Sequence, residues 1–258
     1  MKIGLALSGG GARGYSHLGA VKAFQEHGIE PAVISGSSAG AVAGAFLAAG
    51  YKPDQVMEIF SEVNFLKYLR PAIASSGLVK IEKLTSWLLE FFPDNNFESL
   101  KLPLTIATTN YTKGITEYFT TGELIKPMLA SASLPVIFAP ITMNGDIYFD
   151  GGILNNMPAQ QIRDQADFII GINCNYLKKN AASGGMKDML ERCLLMAISP
   201  NTYAQKQYCD LFMEPDQLGD YRVFSLSKAK EIYAIGYEFA LQELTNAPEL
   251  LKKMAESR

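Results

Sequence analysis

A chain of 258 residues, 48% hydrophobic, is long enough to bury a full core and fits one large α/β unit. A net charge of −3 without a long basic run lacks the electrostatic footprint of a nucleic-acid binder. Cys174, Cys193 and Cys209 are odd in number and show no C-x-x-C spacing, which argues against a disulfide framework or a zinc site and points to reduced thiols.

Residues 2–7 form a short apolar run ended by Ser8-Gly9-Gly10-Gly11, which suits a buried strand. No apolar signal core precedes the glycines, and the apolar run 39–49 is about half the length of a bilayer span. A soluble, cytoplasmic protein is expected. Residues 16–27 carry Leu18, Val21, Ala23 and Phe24 between polar residues, an amphipathic helix closed by Gly28. Residues 32–35 read as a second strand and 39–49 as a helix of small residues stopped by Gly50. Strand, glycine turn, helix, strand, serine turn, helix implies parallel strands with right-handed crossovers. Both turns then lie at carboxyl ends of strands, where such sheets place their sites.

The middle reads as helices over 53–63 and 80–91, strands over 104–110 and 115–120, and a short helix over 124–131. Residues 141–143 and 147–149, separated by Asn144-Gly145-Asp146, give a hairpin signal. Residues 168–173 form another buried strand, 180–185 a mobile loop, and the remainder is expected to be mostly helical, ending with 228–244. No repeat, low-complexity block or linker interrupts the chain. A single domain over 1–258 is expected, with a motif-bearing core about 1–175.

Three short motifs carry chemistry. Gly36-Ser37-Ser38-Ala39-Gly40 is a G-x-S-x-G between a predicted strand and a predicted helix, the context that presents a serine hydroxyl on a strained turn. Gly36 and Gly40 remove side chains that would crowd that turn. Asp150-Gly151-Gly152 places a carboxylate directly after a strand, where aspartate is also a routine turn-former. The two histidines, His17 and His27, both precede Ser38, whereas an ordinary Ser…Asp…His order needs one downstream of the acid. If Ser38 is a nucleophile, Asp150 is the natural base. His17 reads as a hydrogen-bonded core residue, with a role as base the alternative, and His27 ends its helix.

Gly9-Gly10-Gly11-Ala12-Arg13-Gly14 fits a dinucleotide fingerprint, with Glu30 roughly twenty residues on, but at the wrong end of the next strand. It equally fits an oxyanion hole of converging backbone N–H groups, and the serine turn favours that reading. Arg13 either offsets charge near this loop or is an ordinary salt-bridged surface residue.

In this order, the motifs resemble the patatin-like phospholipase family. The resemblance covers roughly residues 1–175 and takes in the glycine loop with Gly14, the helix start Tyr15-Ser16-His17-Leu18-Gly19-Ala20-Val21, the serine turn and the Asp150-Gly151-Gly152 motif followed by Asn155-Asn156-Met157-Pro158. It also includes Ala130-Ser131-Ala132-Ser133-Leu134-Pro135 through Phe138-Ala139-Pro140. Many members carry Asp where this chain has Ser8. The resemblance implies a three-layer α/β/α fold with a mainly parallel sheet and hydrolysis of lipid acyl esters through a Ser–Asp dyad without histidine. The sequence itself shows no metal-ligand cluster and no acidic calcium loop, so no metal or cofactor is expected. It assigns Ser38 as nucleophile, Asp150 as base, and Gly9, Gly10 and Gly11 with Arg13 as the oxyanion region. The alternatives are an acyltransferase and a non-catalytic lipid-sensing module.

Ile81, Leu84, Trp87, Leu88 and Phe91 recur at helical spacing, either as core or as a lid or interfacial stripe, and Phe65, Leu66, Tyr68 and Leu69 offer a second wall. Membrane contact is expected to be peripheral and transient.

Overall fold

The computed structural model describes residues 1–62, 70–71, 79–80, 83–179 and 184–246. Phe65, Leu66, Tyr68, Leu69, Ile81, most of the 180–185 loop and the polar tail lie outside the described residues.

β1 (Ile3–Leu7) is an unbroken apolar run with every residue buried, as a strand covered on both faces requires. It pairs in parallel with β2 (Pro31–Ser37) on one side and β9 (Phe168–Ile172) on the other. β10 (Leu211–Met213) extends the parallel set beyond β9, and β5 (Leu104–Asn110) extends it beyond β2. Three antiparallel strands complete the sheet: β6 (Ile115–Phe119), β7 (Ile141–Met143) and β8 (Asp146–Asp150). The order is β10-β9-β1-β2-β5-β8-β7, with β6 also on β5.

Alternation along β1 defines the layers. Ile3, Leu5 and Leu7 join the larger core, with α1 (Tyr15–Glu26), α2 (Ala39–Ala48), α5 (Ile125–Ser131) and α7 (Ala229–Asn246). Ala6 joins a smaller cluster with Met157, Ile162 and Ile169 under the 3-10 segment Ala159–Gln165. The expected three layers are present, and the second outer layer is thin.

α1 and α7 touch backbone to backbone. A Cβ on Gly19 would strike the Tyr233 carbonyl, and one on Gly236 would strike Ser16. This crossing fastens the C-terminal part of the chain over the helix that follows the glycine loop.

Two expectations need correction. No helix runs over 80–91: β4 (Val79–Lys80) pairs with β3 (Arg70–Pro71), and α4 covers only Leu84–Leu88. Beyond it the chain tightens into turns, with Phe91 N–H bonded to Leu88 O at 3.0 Å. Aromatic packing overrides the helical period here. Phe91 and Phe92 both reach Phe46 (centroids 5.5 and 4.9 Å), and Phe60 stacks edge-on with both Phe46 and Trp87. Trp87 and Leu88 are therefore core, not an interfacial stripe; burying one such side chain is worth about 1.5–3 kcal/mol. The other correction is β10, a strand inside the part expected to be mostly helical. Three residues are too few to show a period. The long helix α6 (Met186–Gln205) precedes it, and α3 (Pro53–Glu62) follows the expected boundary closely.

Candidate active site

The edge of β5 brings the serine and the carboxylate together. Ala107 pairs with Ser37 of β2 and also with Tyr118 of β6, so β2 and β6 take opposite edges. Thr108 pairs with Asp150 of β8 and with Glu117 of β6. β2 and β8 therefore share one edge of β5, running in opposite directions, and their carboxyl ends meet at adjacent residues of it.

Ser38, one residue past β2, has φ 49° and ψ −121°, a left-handed conformation that a residue with a Cβ adopts only under restraint. Gly36 and Gly40 make that turn feasible, since a Cβ on Gly36 would enter the Gly40 carbonyl and one on Gly40 would enter the Leu7 carbonyl. Ser38 Oγ donates to Asp150 Oδ2 at 2.7 Å. Asp150 Oδ1 accepts from Gly152 N–H at 2.8 Å. Its main chain is held on both sides, by Thr109 Oγ1 donating to its carbonyl (2.8 Å) and by its own N–H donating to Ser133 O (3.0 Å). Burial pushes the Asp150 carboxyl up to about 6, opposed by the bonds from Ser38 and Gly152. At neutral pH it is ionised, yet a stronger base than an ordinary carboxylate.

Ser131 was expected only as part of a resembling stretch, and its position gives it a task. It accepts from Ser38 N–H (2.8 Å) and donates to Ala107 O (2.7 Å), so one buried hydroxyl clamps the turn to β5. Ser131→Ala leaves both backbone groups without this partner. We expect a loss of about 1–3 kcal/mol in denaturant unfolding and a fall in kcat of about tenfold or more from misplacement of Ser38. Unchanged stability and turnover would show that the clamp is dispensable.

The glycine loop lies against this pair. Gly9, expected as an oxyanion donor, commits its N–H to Asn156 O at 3.0 Å. Its contribution is space: a Cβ there would sit 2.6 Å from Asn156 Oδ1 and 3.0 Å from Ser38 Cβ. Ala12 N–H donates to Val223 O and Arg13 N–H to Gly10 O. Among the described residues the N–H groups of Gly10 and Gly11 have no acceptor within the chain. Gly11, at φ 55°, backs onto Val223 and has no room for a side chain.

Arg13 is buried rather than a surface residue. Its Nε–H donates to Tyr221 O at 2.8 Å, Nη2 lies 3.9 Å from Glu191, and Nη1 has no partner among the described residues. The guanidinium thus ties the loop to residues 221–223, where sequence offered no signal. His17 is fully buried, donates from Nε2 to Ser8 O at 2.8 Å and is held neutral, its pKa lowered to about 4 by burial. It fixes the end of β1 to α1 and is not placed as a base.

Asn156 joins the two halves of the site. Its carbonyl takes the Gly9 N–H, its N–H donates to Asn201 Oδ1 (3.0 Å), and its side chain donates to Thr202 Oγ1 (3.1 Å). Beside the serine turn lies an apolar cavity of about 170 Å³, walled by Gly11, Gly14, Ala39, Val42, Phe60 and Leu226 among others.

The arrangement defines a class: an α/β protein that presents a serine on a sharp strand-to-helix turn, paired with a buried carboxylate and flanked by free glycine amides. A family model for patatin-like phospholipases matches residues 5–162, which include all three motifs. The chain belongs to the patatin-like phospholipase family. An uncharacterised NTE family protein of Mycobacterium tuberculosis is 33% identical over 177 residues, covering 67% of this chain and 49% of its own. The lysophospholipase NTE1 of Eremothecium gossypii is 33% identical over 173 residues, 62% of this chain and 11% of its own. The chain spans about half the length of its mycobacterial relatives. VipD from Legionella pneumophila shares the fold, with a TM-score of 0.57 at 16% identity over 95% of this chain and 67% of that one.

Proposed function

We propose that this protein is a serine acyl-ester hydrolase acting on lipids, of the phospholipase A or lysophospholipase kind, with Ser38 as nucleophile and Asp150 as base. One observation carries the reading: the 2.7 Å bond from Ser38 Oγ to a buried carboxylate whose pKa is raised to about 6. The family, and the name of the Eremothecium relative as a lysophospholipase, support it.

Asp150 takes the Ser38 proton as Oγ attacks the ester carbonyl. The developing oxyanion faces the amides of Gly10 and Gly11, with Arg13 supplying positive charge from behind the loop. The protonated acid then returns its proton to the leaving alcohol. Water attacks the acyl-enzyme by the same route, releasing the fatty acid and restoring Ser38. The apolar cavity beside Ala39, about 170 Å³, has room for a short stretch of the acyl chain, since an apolar space of about 150 Å³ accepts a benzene-sized guest.

Purified protein is expected to turn over a p-nitrophenyl acyl series and a lysophospholipid, and a fluorophosphonate is expected to label Ser38 in peptide mapping. No hydrolysis of any of these, with no labelling, would overturn the assignment. Because the base must be ionised, kcat/KM is expected to fall about tenfold per pH unit below about 6. A profile flat down to pH 4.5 would contradict Asp150 as the base.

Among the described residues, no helix is long and apolar enough to cross a bilayer. Contact with aggregated lipid is proposed to be peripheral.

A further inference from the structure

α6 uses only one of its two apolar aspects. Leu195 and Thr202 are its buried residues. On the other side Met186, Met189, Leu190, Cys193, Leu194 and Ala197 follow the spacing of a single helical stripe. That stripe faces outward: Met186 is 81% exposed, Met189 and Leu190 each 50%, and Leu194 38%. Single exposed apolar residues are ordinary, whereas a continuous stripe three turns long marks an interaction surface.

The charges on α6 identify what the stripe meets. At 3.6 residues per turn, Lys187 and Arg192 project roughly 90–130° to either side of its midline. Among the described residues neither makes an ion pair or a side-chain hydrogen bond. The acidic residues of this half are engaged within the fold: Asp188, on the far side of the helix from the stripe, pairs with Arg222, and Glu191 accepts from Val223 N–H at 2.8 Å and faces Arg13. An apolar centre, a free cation to either side and acids already paired within the fold fit a helix lying in the plane of an anionic lipid surface, its long cationic side chains reaching up to the headgroups. A second copy fits worse, because Asp188 and Glu191 are already engaged, and two such helices would bring the free cations Lys187 and Arg192 together.

The helix also lies on the rim of the candidate site. Asn201 Nδ2 donates to the carbonyls of Gly152 and Ile153, each at 3.1 Å, just beyond Asp150. Ile153 and Leu154 there are themselves exposed, at 37% and 40%. At the other end, Glu191 holds Val223, whose carbonyl holds Ala12 of the glycine loop.

We propose that α6 seats this protein on anionic phospholipid surfaces, stripe downward, holding the rim of the Ser38–Asp150 site against the lipid. The purpose of that seating rests on the hydrolase reading; the binding itself does not.

The test is sedimentation of Ser38→Ala protein, which leaves lipid intact, with phosphatidylcholine vesicles with and without phosphatidylglycerol. Binding is expected to need phosphatidylglycerol and to weaken with salt. Adding Met189→Asp with Leu190→Asp should lower it on the order of tenfold or more by removing apolar insertion. Lys187→Glu with Arg192→Glu should do the same on the anionic vesicles, where each basic residue contributes. In the Ser38-containing protein, all four substitutions should leave turnover of a soluble short-chain ester within about twofold, since none of them touches the site. Vesicle binding unaffected by either pair would overturn the proposal. So would absent vesicle binding together with a dimer in light scattering that Met189→Asp and Leu190→Asp dissociate. Vesicle binding that depends on these residues, in a protein with no ester turnover, would sink the hydrolase reading and leave the role of α6 standing.

Discussion

Asp150→Asn is expected to abolish ester turnover and, above pH 6, to make the protein more stable. The Asp150 pKa is raised from 3.8 to about 6, chiefly by burial. The native state therefore binds more protons than the unfolded chain between those pH values. The stability this group contributes is fully present below about pH 4 and is lost as pH rises through 6. A shift of about two units corresponds to roughly 3 kcal/mol. Asn keeps the local geometry, since its carbonyl accepts from Gly152 N–H and its amide can donate to Ser38 Oγ, but it neither ionises nor takes a proton. Turnover should fall by about a thousandfold, within the range for loss of a general base. Denaturant unfolding of both proteins at pH 8 and pH 4.5, with turnover measured alongside, checks the sign. An Asn variant less stable than wild type at pH 8, or one keeping a tenth of the rate, would refute the assignment of Asp150.

The serine position should separate two effects that share one residue. Ser38→Ala and Ser38→Gly both remove the hydroxyl, and each is expected to lower turnover by about a thousandfold or more. Their stabilities should differ. At φ 49° and ψ −121° any Cβ is strained, a penalty of about 1–3 kcal/mol, whereas glycine is at ease there. Glycine also gives the unfolded chain more freedom, which offsets about 0.4–1 kcal/mol. The Gly variant should be the more stable by about 1 kcal/mol in chemical unfolding, the balance of those two terms. Equal stability, or an advantage for Ala, would mean that the turn is relaxed. A more stable Gly variant would show the strain to be a cost that the fold carries in order to present the Ser38 hydroxyl.

The parts of the site legible in the sequence are the local ones. The glycine loop and the serine turn each sit between a strand and a helix within the first 50 residues, and glycine spacing exposes both. Asp150 was legible because a hairpin signal precedes it and because neither histidine stands downstream. Ser131 and Asn156 stood in recognisable stretches, yet their tasks depend on partners brought close only by the sheet. Ser38 lies 93 residues from Ser131. Arg13 looked like a surface residue as much as a site residue, because its partners Tyr221 and Glu191 lie in a part of the chain without a motif. The Gly9 N–H illustrates the same limit: its bond to Asn156 O depends on a residue far along the chain, and no pattern near Gly9 reports that. Around Trp87 the core reading holds but the helix is shorter than its period suggests, because a helical period is equally produced by residues that turn inward around Phe46.

The meeting of β2 and β8 on one edge of β5 turns the 2.7 Å Ser38–Asp150 bond into a matter of ladder alignment rather than loop length. The two residues are 112 apart in sequence, and the segments between them can lengthen, shorten or change without altering their separation, provided β5 keeps its place. The proposed reacting pair is thus insulated from changes in the connecting segments, which leaves those segments free to diversify. The same geometry makes the Ser38–Asp150 contact an all-or-none property of the folded sheet. A molecule in which either strand has let go of β5 retains both residues and holds no dyad.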